Sequence, residues 1–151
     1  LGDQKPNSDE VLDGGKGLPY RMRTNSQGLR MDFDLTFTKQ RQRVLLVGDS
    51  AIFFPFLDNP DTGTAQLQAM FPDKEIANAA MWGYSIDDYV TLFEEKAKYV
   101  EADLVIVATN GNDIIDQYFS HRNRFARVKR DYKPTETEKA YYHELYGGAG
   151  Q

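Results

Sequence analysis

The sequence predicts an α/β fold with a parallel sheet, and three observations lead to this prediction. Two continuous runs of β-branched and leucine side chains, residues 43–47 and 103–108, are typical of strands buried on both faces. An apolar helical stripe over residues 85–100 lies between them, and Ser85 with Asp88 resembles a capping box. With 151 residues, 40% of them hydrophobic, the chain can bury the core of about one domain.

The remaining elements complete three strand-to-helix units. Residues 64–71 carry apolar side chains at helical spacing up to Pro72, and a second strand is expected at 74–78. Within residues 20–38, apolar side chains at Met31, Phe33, Leu35 and Phe37 alternate with polar ones, which predicts an edge strand or a hairpin arm with one buried face. In a parallel sheet of this kind, binding and chemistry gather at the carboxyl ends of the strands.

The composition divides the chain into three regions. Residues 1–19 are rich in Gly, Pro and polar side chains and are predicted to be a flexible lead-in. Residues 20–119 hold the α/β core, and residues 120–151 form a basic segment with a Tyr-rich tail, interpreted as a lid or an insertion. The basic part, from Arg122 to Lys133, suits contact with an anionic surface, although most such runs are solvated helix faces.

The charge and the residue types exclude several classes of function. The formal net charge of −5 disfavours nucleic-acid binding, and the absence of Cys excludes thiol chemistry and Cys-ligated zinc. No apolar run approaches the roughly 20 residues that a membrane span needs. The chain begins at Leu1 without Met, so we expect a processed form or part of a longer protein, and the composition leaves the compartment open.

Three residues follow predicted strands and carry the chemistry that we expect of the site. Ser50 leaves the first core strand at a sharp turn, where a hydroxyl faces a helix N-terminus, or else it is an ordinary N-cap. Gly83 allows a backbone N–H to approach a substrate closely, or it simply completes a turn. Asn112 offers a neutral side-chain amide as a donor to negative charge, the alternative being an Asn-Gly turn.

In this order, Gly48-Asp49-Ser50, then Asn78 with Gly83, then Asn112-Asp113, the sequence resembles the SGNH hydrolases, also called GDSL esterases and lipases. The resemblance covers residues 20–119 and includes an upstream Asn-x-x-Gly-x-Arg segment formed by Asn25, Gly28 and Arg30. It implies a flavodoxin-like three-layer α/β/α fold with a parallel sheet of about five strands. Only three core strands are found here, so the sheet looks incomplete at its carboxyl end.

The resemblance also implies roles for the residues that match the motifs. Ser50 is then the nucleophile of an acyl-enzyme mechanism, and the backbone N–H groups of Ser50 and Gly83 form the oxyanion hole with the Asn112 amide. Asp49, Asp113 and Asn78 match positions that shape the turns. The implied substrate is an acyl or acetyl ester of a lipid or a carbohydrate, and no metal or organic cofactor is expected.

The general base of the family has no counterpart in this sequence. The family carries it in an Asp-x-x-His block near the carboxyl end of the domain, and neither His121 nor His143 lies in such a block. We therefore expect the catalytic His to lie outside this chain, or the chain to complete its sheet by pairing with a second copy as a homodimer. The family branch suggests a bacterial periplasmic, extracellular or membrane-associated protein and leaves a cytoplasmic location open.

Other interpretations remain open at this stage. Without its base, the chain is alternatively a non-catalytic binding or assembly module that retains the hydrolase sheet. A nucleotide or phosphate binder is a weaker alternative, because the sequence has neither G-x-G-x-x-G nor a Walker lysine. Aromatic side chains flank the proposed site and are expected either to line an acyl pocket or to pack in the core: Phe53, Phe54, Phe56 and Trp82.

Overall fold

A computed structural model describes residues 2–15, 17–36 and 39–114. By its internal contacts the chain divides after Tyr118, and all described residues belong to the first unit. The basic segment with its tail and both histidines, His121 and His143, lie outside the described residues. The strands are β1 (Asp9–Asp13), β2 (Pro19–Arg23), β3 (Gln42–Gly48), β4 (Lys74–Asn78) and β5 (Leu104–Ala108), and the α-helices are α1 (Ser50–Phe53), α2 (Gly63–Met70) and α3 (Ile86–Glu95).

The central feature is a three-stranded parallel sheet with the order β4-β3-β5. Val44 of β3 is in register with Ile76 of β4 on one side and with Leu104 of β5 on the other. The alternate side chains Leu45 and Val47 lie in the main core cluster beneath α3. This arrangement confirms the predicted α/β class and the positions of the three predicted core strands.

Helices α2 and α3 begin within one residue of their predicted first residues at 64 and 85, but α3 ends before the predicted residue 100. At the start of α3 the backbone N–H of Ser85 donates to Asp88 Oδ2 at 2.8 Å, which confirms the predicted capping box. The helix ends at Glu95, and a 3₁₀ turn, Ala97–Tyr99, carries the chain on toward β5. In the part of the chain that the structure describes, no helix is long and apolar enough to cross a membrane.

The predicted flexible lead-in, residues 1–19, instead contains a strand. β1 pairs antiparallel with β2, and an ion pair of 2.6 Å between Arg21 Nε and Asp9 Oδ1 joins them. Tyr20 and Met22 of β2 are buried against the α/β core, so the hairpin is anchored from one side. The polar composition of β1 did not indicate a strand, because the buried side chains of the hairpin belong to β2.

Within residues 20–38, β2 is the predicted hairpin arm, whereas residues 31–36 form no strand although their burial alternates as predicted. Met31 and Leu35 are buried and the residues between them are mostly exposed. The Gln27 side chain accepts from the Leu35 N–H at 2.8 Å and donates to the Leu35 carbonyl at 2.6 Å. These two bonds replace those that a neighbouring strand would make, so the backbone needs no partner strand.

β5 also differs from the prediction of a strand buried on both faces. It pairs only with β3 among the described strands, and its apolar side chains are substantially exposed, with Leu104 at 53% and Val105 at 37%. The prediction that this apolar run forms a parallel strand is confirmed. The prediction of full burial is wrong for the described structure, because no described helix covers this strand.

Candidate active site

The proposed site lies at the carboxyl edge of the sheet, where the strand order reverses. β3 is followed in sequence by β4 on one side and later by β5 on the other, and open α/β sheets bind ligands at such a point. The loop after β4 is tied to this point by the Met81 N–H, which donates to the Gly48 carbonyl at 3.2 Å. Gly48 is also in register with Ala108 at the end of β5. The three predicted blocks therefore meet here.

Ser50 is the first residue of the short helix α1 and is partly exposed. The N-cap of this helix is Asp49, whose carboxylate accepts from the Ala51 N–H at 2.9 Å. The alternative of Ser50 as an ordinary N-cap is therefore wrong. Because the aspartate performs the capping, the serine hydroxyl is not needed for it.

Asp49 joins the first block to the third. Its carboxylate is 1% exposed and accepts from the Asn112 amide at 2.7 Å and from the Asn110 amide at 3.1 Å. Burial acts to raise the pKa of Asp49, but the bonds from Asn112, from the Ala51 N–H and from Asn110 outweigh it, so this pKa lies below its ordinary value. The carboxylate is therefore charged at neutral pH. Because Asp49 directly precedes Ser50 in the sequence, its hydrogen bond attaches Asn112 to the residue next to the serine.

This lowered pKa predicts a pH-dependent contribution to stability. Because the folded-state pKa lies below the ordinary value of 3.8, the carboxylate stabilises the fold fully above that value, and the contribution disappears as the pH falls through the folded-state pKa. Asp49→Asn removes this titrating group. The amount by which the unfolding free energy of the variant falls below that of the natural protein should therefore decrease from neutral pH to about pH 3. Urea denaturation at several pH values measures the deficit, with Ser26→Ala as a control that changes no titratable group. A deficit independent of pH would contradict the assignment.

The structure places Asn112 and Gly83, the two expected oxyanion donors, in the segments that follow β5 and β4. The Asn112 side-chain amide carries two hydrogens, and Asp49 accepts from one of them. Gly83 has a φ of 81°, which a glycine adopts readily, in a turn closed by the Tyr84 N–H and the Met81 carbonyl at 3.2 Å. Both lie at the same sheet edge as Ser50, which is where donors to a developing oxyanion are required.

Asp113 fixes the turn that carries Asn112. Its carboxylate accepts from the Asn110 N–H and from the Tyr89 hydroxyl, each at 2.6 Å. Burial, followed by the bond to Asp113, raises the pKa of Tyr89 far above its ordinary value. Tyr89 is therefore a neutral donor in the support of the site, and it is not a candidate base.

Asn78 has a structural role at the end of β4, as expected. Its side-chain amide is buried and donates to the Ile52 carbonyl and to Thr64 Oγ1, both at 3.0 Å. Its side-chain oxygen accepts from the Ala80 N–H at 3.0 Å. These bonds tie α1, which carries the serine, to the loop that leads to Gly83.

Arg30 supports the segment after α1, a role that the sequence did not assign. Its buried guanidinium donates to the carbonyls of Phe53, Phe54 at 2.7 Å and Leu57 at 2.6 Å. Burial lowers the pKa of Arg30, which still remains charged at neutral pH because an arginine titrates so high. The only signal available in the sequence was the Asn-x-x-Gly-x-Arg resemblance.

The four aromatic residues near the site fall into different environments. Phe53 is buried in the core beside Tyr20, and the Phe54 ring packs over Gly63. Phe56 and Trp82 are instead half exposed. Phe53 therefore packs in the core, whereas the rings of Phe56 and Trp82 are accessible from solvent.

The described residues hold neither a histidine nor a cluster of three or more metal-ligating side chains. The histidine that the family resemblance implies as the general base is thus not among the described residues. Comparison of the chain with protein-family models, with curated proteins and with solved structures finds no match.

Proposed function

We propose that the protein is a serine ester hydrolase of the SGNH type, with Ser50 as its nucleophile. One observation carries this proposal: Asp49 caps the helix that begins with Ser50 and at the same time holds the Asn112 amide at 2.7 Å. A hydroxyl at a helix start and a neutral amide donor are thus brought together where the strand order reverses.

The sheet supports a flavodoxin-like arrangement. When the three parallel strands are numbered by their order along the chain, their order across the sheet is second, first, third. A flavodoxin-like sheet begins with this order and continues beyond the third strand. The exposed apolar side chains of β5 fit a strand that has a further neighbour and covering helices in the complete fold.

In the proposed reaction, Ser50 Oγ attacks the ester carbonyl carbon while its proton passes to a histidine base. The oxyanion accepts hydrogen bonds from the backbone N–H groups of Ser50 and Gly83 and from the Asn112 amide. The bond to the alcohol oxygen then breaks, the alcohol leaves with the proton, and water releases the acid from the acyl-enzyme. We expect the histidine to lie outside the described residues. Acyl or acetyl esters are the proposed substrates.

Covalent labelling of the intact full-length protein tests this proposal. A fluorophosphonate forms a bond to an activated serine oxygen as fluoride leaves, so one adduct is expected on the peptide that contains Ser50. Ser50→Ala should abolish the adduct. Ser26→Ala is the matched control, because Ser26 is exposed and only its backbone N–H bonds to Asp34, so labelling should persist. Labelling that is absent, or that survives in Ser50→Ala, would contradict the proposal.

A non-catalytic binding or assembly module is the second candidate. It is favoured by the sequence, which contains no Asp-x-x-His block. In that case Ser50 has no base and its hydroxyl remains a weak nucleophile. The labelling experiment separates the two candidates, because an unactivated Ser50 forms no adduct.

A further inference from the structure

The segment that follows α1 has an unusual backbone. Phe54 has a φ of 53° and Phe56 a φ of 70°, a region that bulky side chains rarely adopt. The bonds from Arg30 to the carbonyls of Phe53, Phe54 and Leu57 hold this conformation from beneath. A buried cation and two left-handed residues thus fix a segment only a few residues beyond Ser50.

This backbone keeps a large apolar side chain in solvent. Phe56 is 48% exposed, and its ring meets Trp82, which is 52% exposed, edge to face with 5.5 Å between centroids. On its other side Phe56 contacts the buried Tyr20 at 6.0 Å. Exposed aromatic side chains that a protein holds in a fixed geometry commonly form part of a binding surface.

The two exposed aromatics come from the two segments that also carry residues of the proposed site. Trp82 directly precedes Gly83, the proposed oxyanion donor, in the loop that Met81 ties to Gly48. Phe56 comes from the segment after α1, whose first residue is Ser50. A group attached to an ester carbonyl at Ser50 would therefore find this aromatic pair at the same edge of the sheet.

We propose that Phe56 and Trp82 bind an apolar substituent of the ester substrate and so determine its specificity. This inference rests on the function proposed above. The surfaces of both rings are almost entirely apolar, so each methylene group that a substrate buries against them favours binding. Esters with a medium-length aliphatic chain are therefore preferred over acetate esters of small alcohols. The chain belongs either to the acid or to the alcohol, and the two arms of the experiment distinguish these.

The test uses Trp82 as a probe, because it is the only tryptophan of the chain. The full-length Ser50→Ala protein, which cannot form an acyl-enzyme, is titrated with methyl octanoate and separately with its isomer heptyl acetate. We expect a saturable blue shift of the Trp82 emission with at least one isomer. A preference for methyl octanoate assigns the chain to the acid and a preference for heptyl acetate to the alcohol. Methyl acetate should bind at least about tenfold more weakly.

The variants Phe56→Gly and Phe71→Ala test whether binding depends on the proposed aromatic pair. Phe56→Gly removes the ring and suits a φ of 70°, so the protein should fold while the affinity falls about tenfold. Phe71 is similarly exposed at 41% but precedes β4 at the opposite edge of the sheet, so Phe71→Ala should bind normally. The inference is overturned if neither isomer shifts the emission, or if Phe56→Gly binds as tightly as its parent. Binding needs no reaction at Ser50, so this result is independent of the labelling result.

Discussion

Replacing Ser50 with alanine is expected to lower kcat/KM for ester cleavage by about 10⁴-fold or more. The reason is that the acyl-enzyme route requires an oxygen at this position, and the remaining donors only stabilise the oxyanion. Asp49 caps α1 and holds Asn112 without using the serine side chain, so the variant should keep the fold. A chromogenic ester assay on the full chain, with circular dichroism to verify folding, measures the effect.

Two matched variants locate the loss in the reaction. Asn112→Ala removes one oxyanion donor and should lower kcat by about 10²–10³, a smaller loss than that of the nucleophile. Ser26→Ala changes an exposed serine that lies in a turn before β3 and should leave the rate unchanged. A Ser50→Ala protein that cleaves esters at the rate of the natural chain would exclude Ser50 as the nucleophile.

The parallel sheet was predictable because two of its three strands have a strong local signal. Continuous apolar runs mark β3 and β5, and the helix α3 has both a buried stripe and a capping box. Such features depend on residues that are close in sequence. The strand order does not, since it depends on which edge of β3 each later strand joins, and only the structure shows β4 and β5 on opposite sides.

The structure differs from the predicted flexible lead-in and from the predicted strand over residues 31–36 for related reasons. Apolar alternation measures burial, and the backbone partners decide whether a strand forms. Near Leu35 the backbone is satisfied by the Gln27 side chain, so no strand results. In β1 the side chains are mostly exposed, but the backbone pairs with β2, which forms a strand that burial could not indicate.

The site was predictable only in its outline. The ends of predicted parallel strands brought Ser50 and Asn112 to one edge of the sheet, and the structure places them on either side of Asp49. Arg30 was named only as part of a resemblance, because its partners are backbone carbonyls more than twenty residues away in sequence. Every residue type has a backbone carbonyl, so the sequence does not show which residues accept these bonds. Asn110 was similarly missed, because its bond to Asp49 spans two strands.

Replacing Glu75 with alanine is expected to lower the unfolding free energy by about 3–5 kcal/mol. Glu75 in β4 and Arg43 in β3 are both buried, and Glu75 Oε2 lies 2.8 Å from Arg43 Nε and 2.6 Å from Nη2. The guanidinium also donates to the Val100 carbonyl at 2.5 Å, so the same group joins β3 to the chain that leads into β5. Without the carboxylate, the positive charge stays buried and uncompensated.

The double variant Arg43→Met with Glu75→Leu distinguishes the buried charge from the lost packing. It removes both charges and retains most of the apolar volume, so it should be more stable than Glu75→Ala despite carrying two changes. Asp9→Ala, which breaks the exposed pair with Arg21, is the control and should have little effect because solvent screens that pair. Urea denaturation followed by Trp82 fluorescence and circular dichroism measures all three. A double variant less stable than Glu75→Ala would show that the two side chains contribute mainly through the hydrogen bonds that join the strands, and that burial of the charge is not what makes the single replacement costly.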